Sequence, residues 1–395
     1  MLKHIFIMLW NQKKKYTAIV FEQVLVFIAV ILSLTIAFDT VKSARTPGML
    51  DTNNVMNFGY MISGGYNGSR SRHSVQAMDA IKDKLNKKPY VTGISESFFF
   101  IPYSRPSESY WADSVSVVSG KKVYAHLKGT DEAAEKVFSP DIIQGRWFRD
   151  GERVNGLYPA VITEQLAEAS GLSDPIGKTV YWSGITFAIT GVVSGIKEEA
   201  LVDAPPSIIV PIGVLLPSGS TGNYEELAAQ IKPGYEDEFA NDFYHEFSLL
   251  HSEDDKTELF FESCNDDKKS TMEKSVIKVA VTALPALFFF LFTLIGTIGV
   301  NLMDLQERKH EFALRISCGS TRRKAISMLL LQNIILTGIS TIPGIAIALC
   351  IYPLATALPV AGFALALALI LSLLCTLYPT FIILRMKPAE LLKEE

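Results

Sequence analysis

The sequence predicts a membrane α-helical protein: four transmembrane helices plus an extracytoplasmic α+β domain in two parts, inserted between the first and second helices. Three observations predict it. Of the 395 residues 49% are hydrophobic, and the excess gathers in four long runs instead of spreading along the chain. Three of the short segments beside those runs are rich in basic residues. Between the first two runs, the chain alternates strand-like and helix-like patterns.

Taken in order, residues 1–15 form a basic segment with Lys3, Lys13, Lys14 and Lys15, and residues 16–38 form the first span. A helix needs ~20 apolar residues to cross ~30 Å of hydrocarbon, and each run meets that. Glu22 lies about one turn inside this span, which is costly unless it faces protein. The run is longer than the apolar core of a secretory leader, and no Ala-x-Ala site follows it, so a retained span is expected. Residues 39–275 form the outer domain. The second span is 276–303, with Lys278 near its outer end, where a long side chain reaches the interface. A charged loop (304–324) follows, then the third span (325–352), a short outer loop (353–359), the fourth span (360–384) and a tail (385–395).

Orientation follows from the basic residues of the short segments. The loop carries Arg308, Lys309, Arg315, Arg322, Arg323 and Lys324, the tail Arg385, Lys387 and Lys393, and the loop 353–359 none. Both termini and the charged loop are therefore expected in the cytoplasm, with the large domain on the other side of the membrane. That domain holds 34 acidic against 23 basic residues, a balance that argues against nucleic acid as a partner. Of four cysteines only Cys264 is expected outside, so no disulfide framework is expected.

Within the outer domain, MNFGYMIS (56–63) reads as a strand, HSVQAMDAIKDKL (73–85) as an amphipathic helix and VTGISESFFF as a strand. SVSVVS with KKVYAHL and GKTVYW with ITFAITGVVSGI read as hairpins. DEAAEKVF is a short helix, AVITEQLAEAS runs from strand into helix, and SIIVPIG is a strand. EELAAQIK, EDEFANDFYHEFSLLH and TELFFESC form a second strand–helix–strand unit. The expected arrangement builds one part from both ends, with the middle, about 106–215, inserted between them.

Nothing in this domain reads as catalytic. GLSDPIGKT (171–179) has five residues between Gly171 and Gly177 where a phosphate loop has four, and is expected to be a turn. GVVSG places Ser194 one position late for a nucleophile elbow. His245 and His251 are six apart, so they fall on different helix faces. The acidic stretches at 253–256 and 265–269 lack calcium-loop spacing and are expected to be solvated. No metal or cofactor is expected on this chain. The stretch SFFFIPYSRPSESYW (97–111) is a possible contact patch, through Phe98, Phe99, Phe100, Tyr103, Tyr110 and Trp111. Consecutive strand residues alternate faces, so three phenylalanines cannot share one core; packing between the two parts of the domain is the plainer reading.

The charged loop has an internal pattern. Read as a helix from Leu305 to Ser317, it places Glu311 and Arg315 four apart in the acid-first order that favours an ion pair. Phe312 and Ile316 make an apolar stripe, Gly319 suits a helix stop and Ser320 a cap. Physical reasoning leaves open whether such a helix seats in a partner protein or lies among lipid headgroups.

The stretch IGTIGVNLMDLQERKHEFALRISCGSTRR resembles the segment leaving the second membrane helix in MacB/FtsX-type ABC transporter permeases, through Gly296, Gly299, Asn301, Glu307, Arg308, Glu311, Arg315 and Gly319. The tail is similar at Pro379, Arg385, Pro388, Leu392 and Glu394, and IIQGRWFRDGE, AVITEQLAE and DPIGKTV resemble the family's periplasmic segments. Cys318 and Ser320 depart from its pattern. The resemblance implies a permease that works as a dimer with an identical or sister chain and with a cytoplasmic ATPase dimer. ATP and Mg would be held by a separate polypeptide, so the chain is not itself expected to be an enzyme. Glu307, Arg308, Glu311, Phe312, Arg315 and Gly319 would form the coupling helix seated in the ATPase. Gly296, Gly299 and Asn301 would pack the second span, where Pro285 can introduce a kink. The implied function is mechanotransmission that exports peptides, lipoproteins or amphiphilic toxic compounds, with a periplasmic adaptor or outer-membrane channel left open. The alternative is an FtsX-like complex controlling a cell-wall hydrolase or a signal.

Overall fold

The computed structural model describes residues 13–46, 48, 50–62, 72–103, 112–117, 121–215, 224–250, 257–351 and 354–385, together with Ile7 and Trp10. In chain order the elements are α1 (Lys13–Arg45), β1 (Val55–Ile62), α2 (Arg72–Leu85), β2 (Val91–Phe98), β3 (Ala112–Val117), β4 (Lys122–Thr130), α3 (Ala134–Phe138), β5 (Ile142–Gly145), β6 (Tyr158–Thr163), α4 (Glu164–Ser170), β7 (Thr179–Trp182), β8 (Ile185–Val193), β9 (Ser207–Pro211), α5 (Ile212–Leu215), β10 (Tyr224–Ile231), α6 (Glu236–Leu250), β11 (Thr257–Ser263), α7 (Cys264–Glu307), α8 (Lys309–Ser317), α9 (Arg322–Ile351) and α10 (Leu354–Arg385). They form two compact units: Lys42–Ser275, and Met1–Val41 with Val276–Glu395.

The unit Lys42–Ser275 is built on one sheet, ordered β11-β1-β10-β2-β4-β3-β7-β8-β6-β9, with β5 on β8. Its path closes on itself. β9 pairs antiparallel with β6 and also parallel with β4, so β4, β3, β7, β8, β6 and β9 form a ring. Closure removes the exposed edges that a six-stranded sheet would otherwise leave. Val115, Leu127, Ile162, Val180, Phe187 and Ile208 fill one core of this ring. The apolar run ITFAITGVV of β8 is buried at almost every position, as expected of a strand covered on both faces.

On β1, β2 and β10, the helices α2 and α6 lay down a second core. Phe239, Phe243 and Phe247 repeat every four residues along α6, the spacing that holds one helix face. Phe58 of β1 meets Phe239 and Phe243 edge-to-face, at 5.1 and 5.0 Å between ring centres. A third core collects Val55, Phe100, Phe138, Trp147 and Cys264. The stretch 171–179 is a helix end followed by a turn: Gly171 and Leu172 donate back to Glu168 and Ala167, and the Gly177 N–H bonds Ile189 O at 2.9 Å. These amides are spent on the backbone, so they are not turned toward a phosphate.

Among the described residues, Lys128, Glu198 and His126 form a charged cluster inside this unit. Lys128, 3% exposed at its side chain, donates from Nζ to Glu198 at 2.9 Å and to the Phe99 carbonyl at 2.9 Å. His126 Nδ1 shares the same carboxylate oxygen at 2.7 Å. Burial alone would raise the pKa of Glu198, but the His126 and Lys128 contacts outweigh it and hold the carboxyl below its ordinary range.

The helical unit holds most of α1 and of α7 together with α8, α9 and α10, and among the described residues four helices are long and apolar enough to cross a membrane. The helices outrun the apolar stretches. α7 has 44 residues, about 66 Å at 1.5 Å per residue, and begins twelve positions before Val276. Backbone hydrogen bonding carries a helix on where apolarity stops, so span limits and helix limits differ. Leu284, Phe288, Phe292 and Ile295 stay exposed on α7, a surface suited to lipid. Inside, Phe27 and Ile31 of α1 meet Val360 and Ala364 of α10. At Gly344 of α9 a Cβ would come within 2.4 Å of Phe27 Cδ1, so that crossing requires glycine. Glu22 faces protein, accepting a hydrogen bond from Thr293 Oγ1 of α7 at 2.9 Å.

Candidate docking surface

The charged stretch is a short helix set between α7 and α9. It begins later than its periodicity predicts: Leu305–Glu307 still belong to α7, the backbone breaks at Arg308 (φ −106°, ψ 11°), and α8 runs Lys309–Ser317. The break turns Phe312 and Ala313 onto Leu305, Leu329 of α9 and Ile383 of α10. Phe312 is buried and Ile316 half-buried, so the apolar stripe points inward.

Gly319 closes the helix. Its φ of +94° lies in the left-handed region, its N–H bonds Ile316 O at 3.1 Å, and Ser320 N–H bonds Arg315 O at 2.8 Å. That pair of bonds is a Schellman closure. Ser320 therefore finishes α8 instead of capping the next helix. α9 begins at Arg322, whose Nη1 donates to Leu384 O at 2.9 Å.

The predicted docking residues separate into two groups. Glu307 is exposed, and the Arg315 side chain is 43% exposed; between them His310 and Leu314, the latter 53% exposed, complete an outward face. Arg308 does the opposite. Only 9% exposed, it turns its guanidinium inward to Glu311 (2.9 Å) and Asp304 (3.7 Å), over the Phe312 ring at 5.1 Å. Its role as a surface contact is corrected: it orients the helix from within. Glu311 accepts from Arg315 at 2.5 Å as well. Burial disfavours its charge, yet bonds and charge from Arg308 and then Arg315 hold its carboxyl below the ordinary glutamate range.

Sequence reasoning missed the base of this network. Asp304 is 1% exposed and pairs with Arg308 at 3.7 Å, and the buried Tyr16 hydroxyl of α1 accepts a hydrogen bond from Nε2 of Gln332 of α9 at 2.9 Å. Asp304 stands four before Arg308, so that half was legible as a helical ion pair. Tyr16 and Gln332 carry no such local signal.

Along α7, Thr293, Thr297, Asn301 and Asp304 form the buried stripe, and Asn301 Nδ2 donates to Cys375 O of α10 at 3.3 Å. Gly296 lies beside it, where a Cβ would stand 3.5 Å from Glu22 Oε1. Gly299 faces away from that stripe. It is exposed, with nothing within 4 Å of its Cβ position, because two residues beyond Thr297 is the other side of a helix.

The aromatic stretch is corrected in part. Phe100 and Tyr103 are buried, Phe100 fully, packed on Phe138 and Trp147 at 5.5 and 6.0 Å. Positive φ at Phe99 (53°) breaks the strand alternation and sends the next residue into the core. Phe98 and Phe99 remain half-buried, edge-to-face at 4.5 Å. Tyr110 and Trp111 lie outside the described residues.

Residues 24–242 match the MacB-like periplasmic core domain, and residues 284–388 match the FtsX-like permease C-terminal region. The chain is 24% identical over 226 residues to the uncharacterized ABC transporter permease YknZ of Bacillus subtilis, covering 56% of each protein. It is 23% identical over 237 residues to the pyoverdine export ATP-binding/permease protein PvdT of Pseudomonas fluorescens, covering 58% of this chain and 35% of that one. The chain thus spans about half the length of the first of these relatives and about a third of the second. Among solved structures, the periplasmic region of MacB from Actinobacillus actinomycetemcomitans aligns with a TM-score of 0.39 at 17% identity, over 55% of this chain and 92% of that one. The extracellular domain of YknZ from Gram-positive bacteria aligns at 0.37 and 16%, over 52% and 100%.

Proposed function

This chain belongs to the family of ABC transporter permeases that carry a MacB-like periplasmic core domain and an FtsX-like C-terminal region, and from that premise we propose that it converts ATP-driven motion of a cytoplasmic ATPase dimer into work outside the membrane. Its termini and α8 face the cytoplasm of the inner membrane, following the basic residues of the short segments. Residues 39–275 form a two-part periplasmic domain inserted between the first and second spans. ATP and Mg are bound by an ATP-binding unit outside these residues. A second permease chain, identical or sister, completes the assembly. Its work is export of peptides, lipoproteins or amphiphilic compounds, in keeping with PvdT being a pyoverdine export protein.

One observation carries the reading. α8 is locked from beneath by Phe312, Ala313 and Arg308, while Glu307, His310, Leu314 and Arg315 point away from the bundle. A helix lying in headgroups would direct its apolar stripe into lipid. Here that stripe is used up inside the protein, and a polar face with one exposed leucine is left for a partner.

The test is affinity purification from native membranes in mild detergent, with partners identified by mass spectrometry, for the parent chain and for Leu314→Glu and Arg315→Glu. An ATP-binding protein is expected with the parent. Loss of an interface hot spot costs about 2 kcal/mol or more, so recovery should fall on the order of tenfold or beyond. Undiminished recovery by both variants would sink the docking assignment. A cell-wall hydrolase in the parent sample, with no cargo, would move the function to the regulatory alternative.

A further inference from the structure

The segment that joins β8 to β9, residues 194–206, is gripped at successive positions by different parts of the sheet unit. We infer that Lys197 is a positioning residue through which this segment carries displacement of the ends of α1 and α7 into the closed ring. The inference deepens the proposed function and rests on it. Both helix ends belong to the sheet unit: the last turn of α1, residues 42–45, and the first three turns of α7, residues 264–275.

Ile196 is buried in the third core with Cys264, the first residue of α7. Lys197, 4% exposed, donates from Nζ to the carbonyl of Ser43 in the last turn of α1 at 2.5 Å, and to Ala200 O at 3.5 Å. Glu198 goes the other way, to Lys128 and His126 of β4 at 2.9 and 2.7 Å. The Ala200 N–H donates to Thr271 Oγ1 of α7 at 3.3 Å. At the far end of the segment, the Pro206 carbonyl accepts the His126 N–H of β4 at 2.8 Å.

The last carbonyls of a helix lack acceptor-side partners within it, and their partial negative charge favours a cation there. Lys197 brings that cation from outside the helix. Ser43 and Thr271 are as buried as Lys197, so these contacts are out of water, where parting an ammonium from its acceptors is costly. The end of α1 and the segment therefore shift together. Glu198, one residue on, ties the same segment to β4 by a second buried charge pair. α7 runs unbroken from Cys264 to Glu307, just before α8, so a push on α8 has a covalent path to Thr271. Residues 197–200 pass displacement of either helix end to β4 through contacts between rigid elements.

Lys197→Met keeps an unbranched stem and removes the ammonium; Thr271→Val removes the hydroxyl that Ala200 uses. The full permease with its ATPase is purified for the parent and each variant. Amide hydrogen exchange is then followed by mass spectrometry, without nucleotide and with a non-hydrolysable ATP analogue. In the parent the analogue should change exchange at residues 42–46 and 264–271, and also in residues 194–206 and β4. In Lys197→Met the change should persist at the helix ends and fall several-fold in β4. Thr271→Val should show a smaller loss there. Exchange of β4 without nucleotide should match the parent, which a merely structural role for Lys197 would not allow.

A full response of β4 in Lys197→Met would overturn the inference, and so would raised β4 exchange without nucleotide. If Lys197→Met does not fold, Thr271→Val decides alone, and an undiminished response of β4 in it overturns the inference. Helix ends that respond in the parent while β4 does not would overturn this inference and leave the docking reading standing. Absence of any ATPase with the parent would overturn the docking reading, and this inference with it.

Discussion

Two charge clusters in the molecule share ingredients and differ in where they end. In the unit Lys42–Ser275, Glu198 is enclosed by Lys128, His126 and the strands around them, and every member is at most 18% exposed at its side chain. In the helical unit, the cluster starts at Asp304, as deeply buried, but its last members, Glu311 and Arg315, are 38% and 43% exposed. A closed cluster satisfies a core. One that runs from the interior to the surface lets something outside the protein act on its far end. The same chemistry thus ends in the interior in one place and at the surface in the other.

The largest expected effect breaks the closed cluster. Lys128→Met removes a buried charge partner of Glu198 and a donor to the bend at Phe99, and breaking a buried pair in this way costs about 3–5 kcal/mol. Thermal unfolding of the purified chain should show the unit Lys42–Ser275 melting well below the parent, with ATPase recovery through α8 unaffected in the fraction that stays folded. If Lys128→Met melts like the parent, the cluster is not holding that core.

Acid should sharpen the same contrast. A carboxyl whose folded pKa is depressed adds stability above its unfolded value, and that stability is lost as pH falls through the folded value. For Glu198 the contribution is whole at neutral pH and declines below the ordinary value of 4.5. Melting temperature against pH should drop more steeply there in the parent than in Glu198→Gln. Matching slopes would mean that Glu198 ionises alike in both states.

The smallest effect concerns the end of the open cluster. Gly319→Ala places a side chain at φ +94° in open space, so only backbone strain opposes it, about 1–2 kcal/mol. The exposed Cys318 thiol beside it reports the result. Its labelling rate with a maleimide in native membranes, the other three cysteines being replaced, should rise modestly as the last turn of α8 frays. An unchanged rate would show the turn holding without its glycine.

What sequence reveals and conceals follows from distance along the chain. The strands, hairpins and helices of residues 55–263 follow their patterns closely, because alternation and helical spacing are local. The Glu311–Arg315 pair and the Gly319 stop were legible for the same reason. The break at Arg308 was not: neither proline nor glycine marks it, and its cause is packing on Leu329 and Ile383. Nor was the closed ring, since β9 meets β4 some eighty residues away. Which of the three phenylalanines turns inward was not legible either, because the positive φ at Phe99 that sends Phe100 into the core has no local sequence signal. Tyr16 and Gln332, 316 positions apart, meet only once the spans are packed.

The most direct test of the central claim is a photo-crosslinking amino acid placed at position 314, irradiated in native membranes, with a second placement at the exposed Tyr124 of the sheet unit as control. The docking account predicts an adduct between position 314 and an ATP-binding protein, absent from position 124. Adducts from position 314 confined to lipid, or an ATP-binding protein captured equally from position 124, would contradict it.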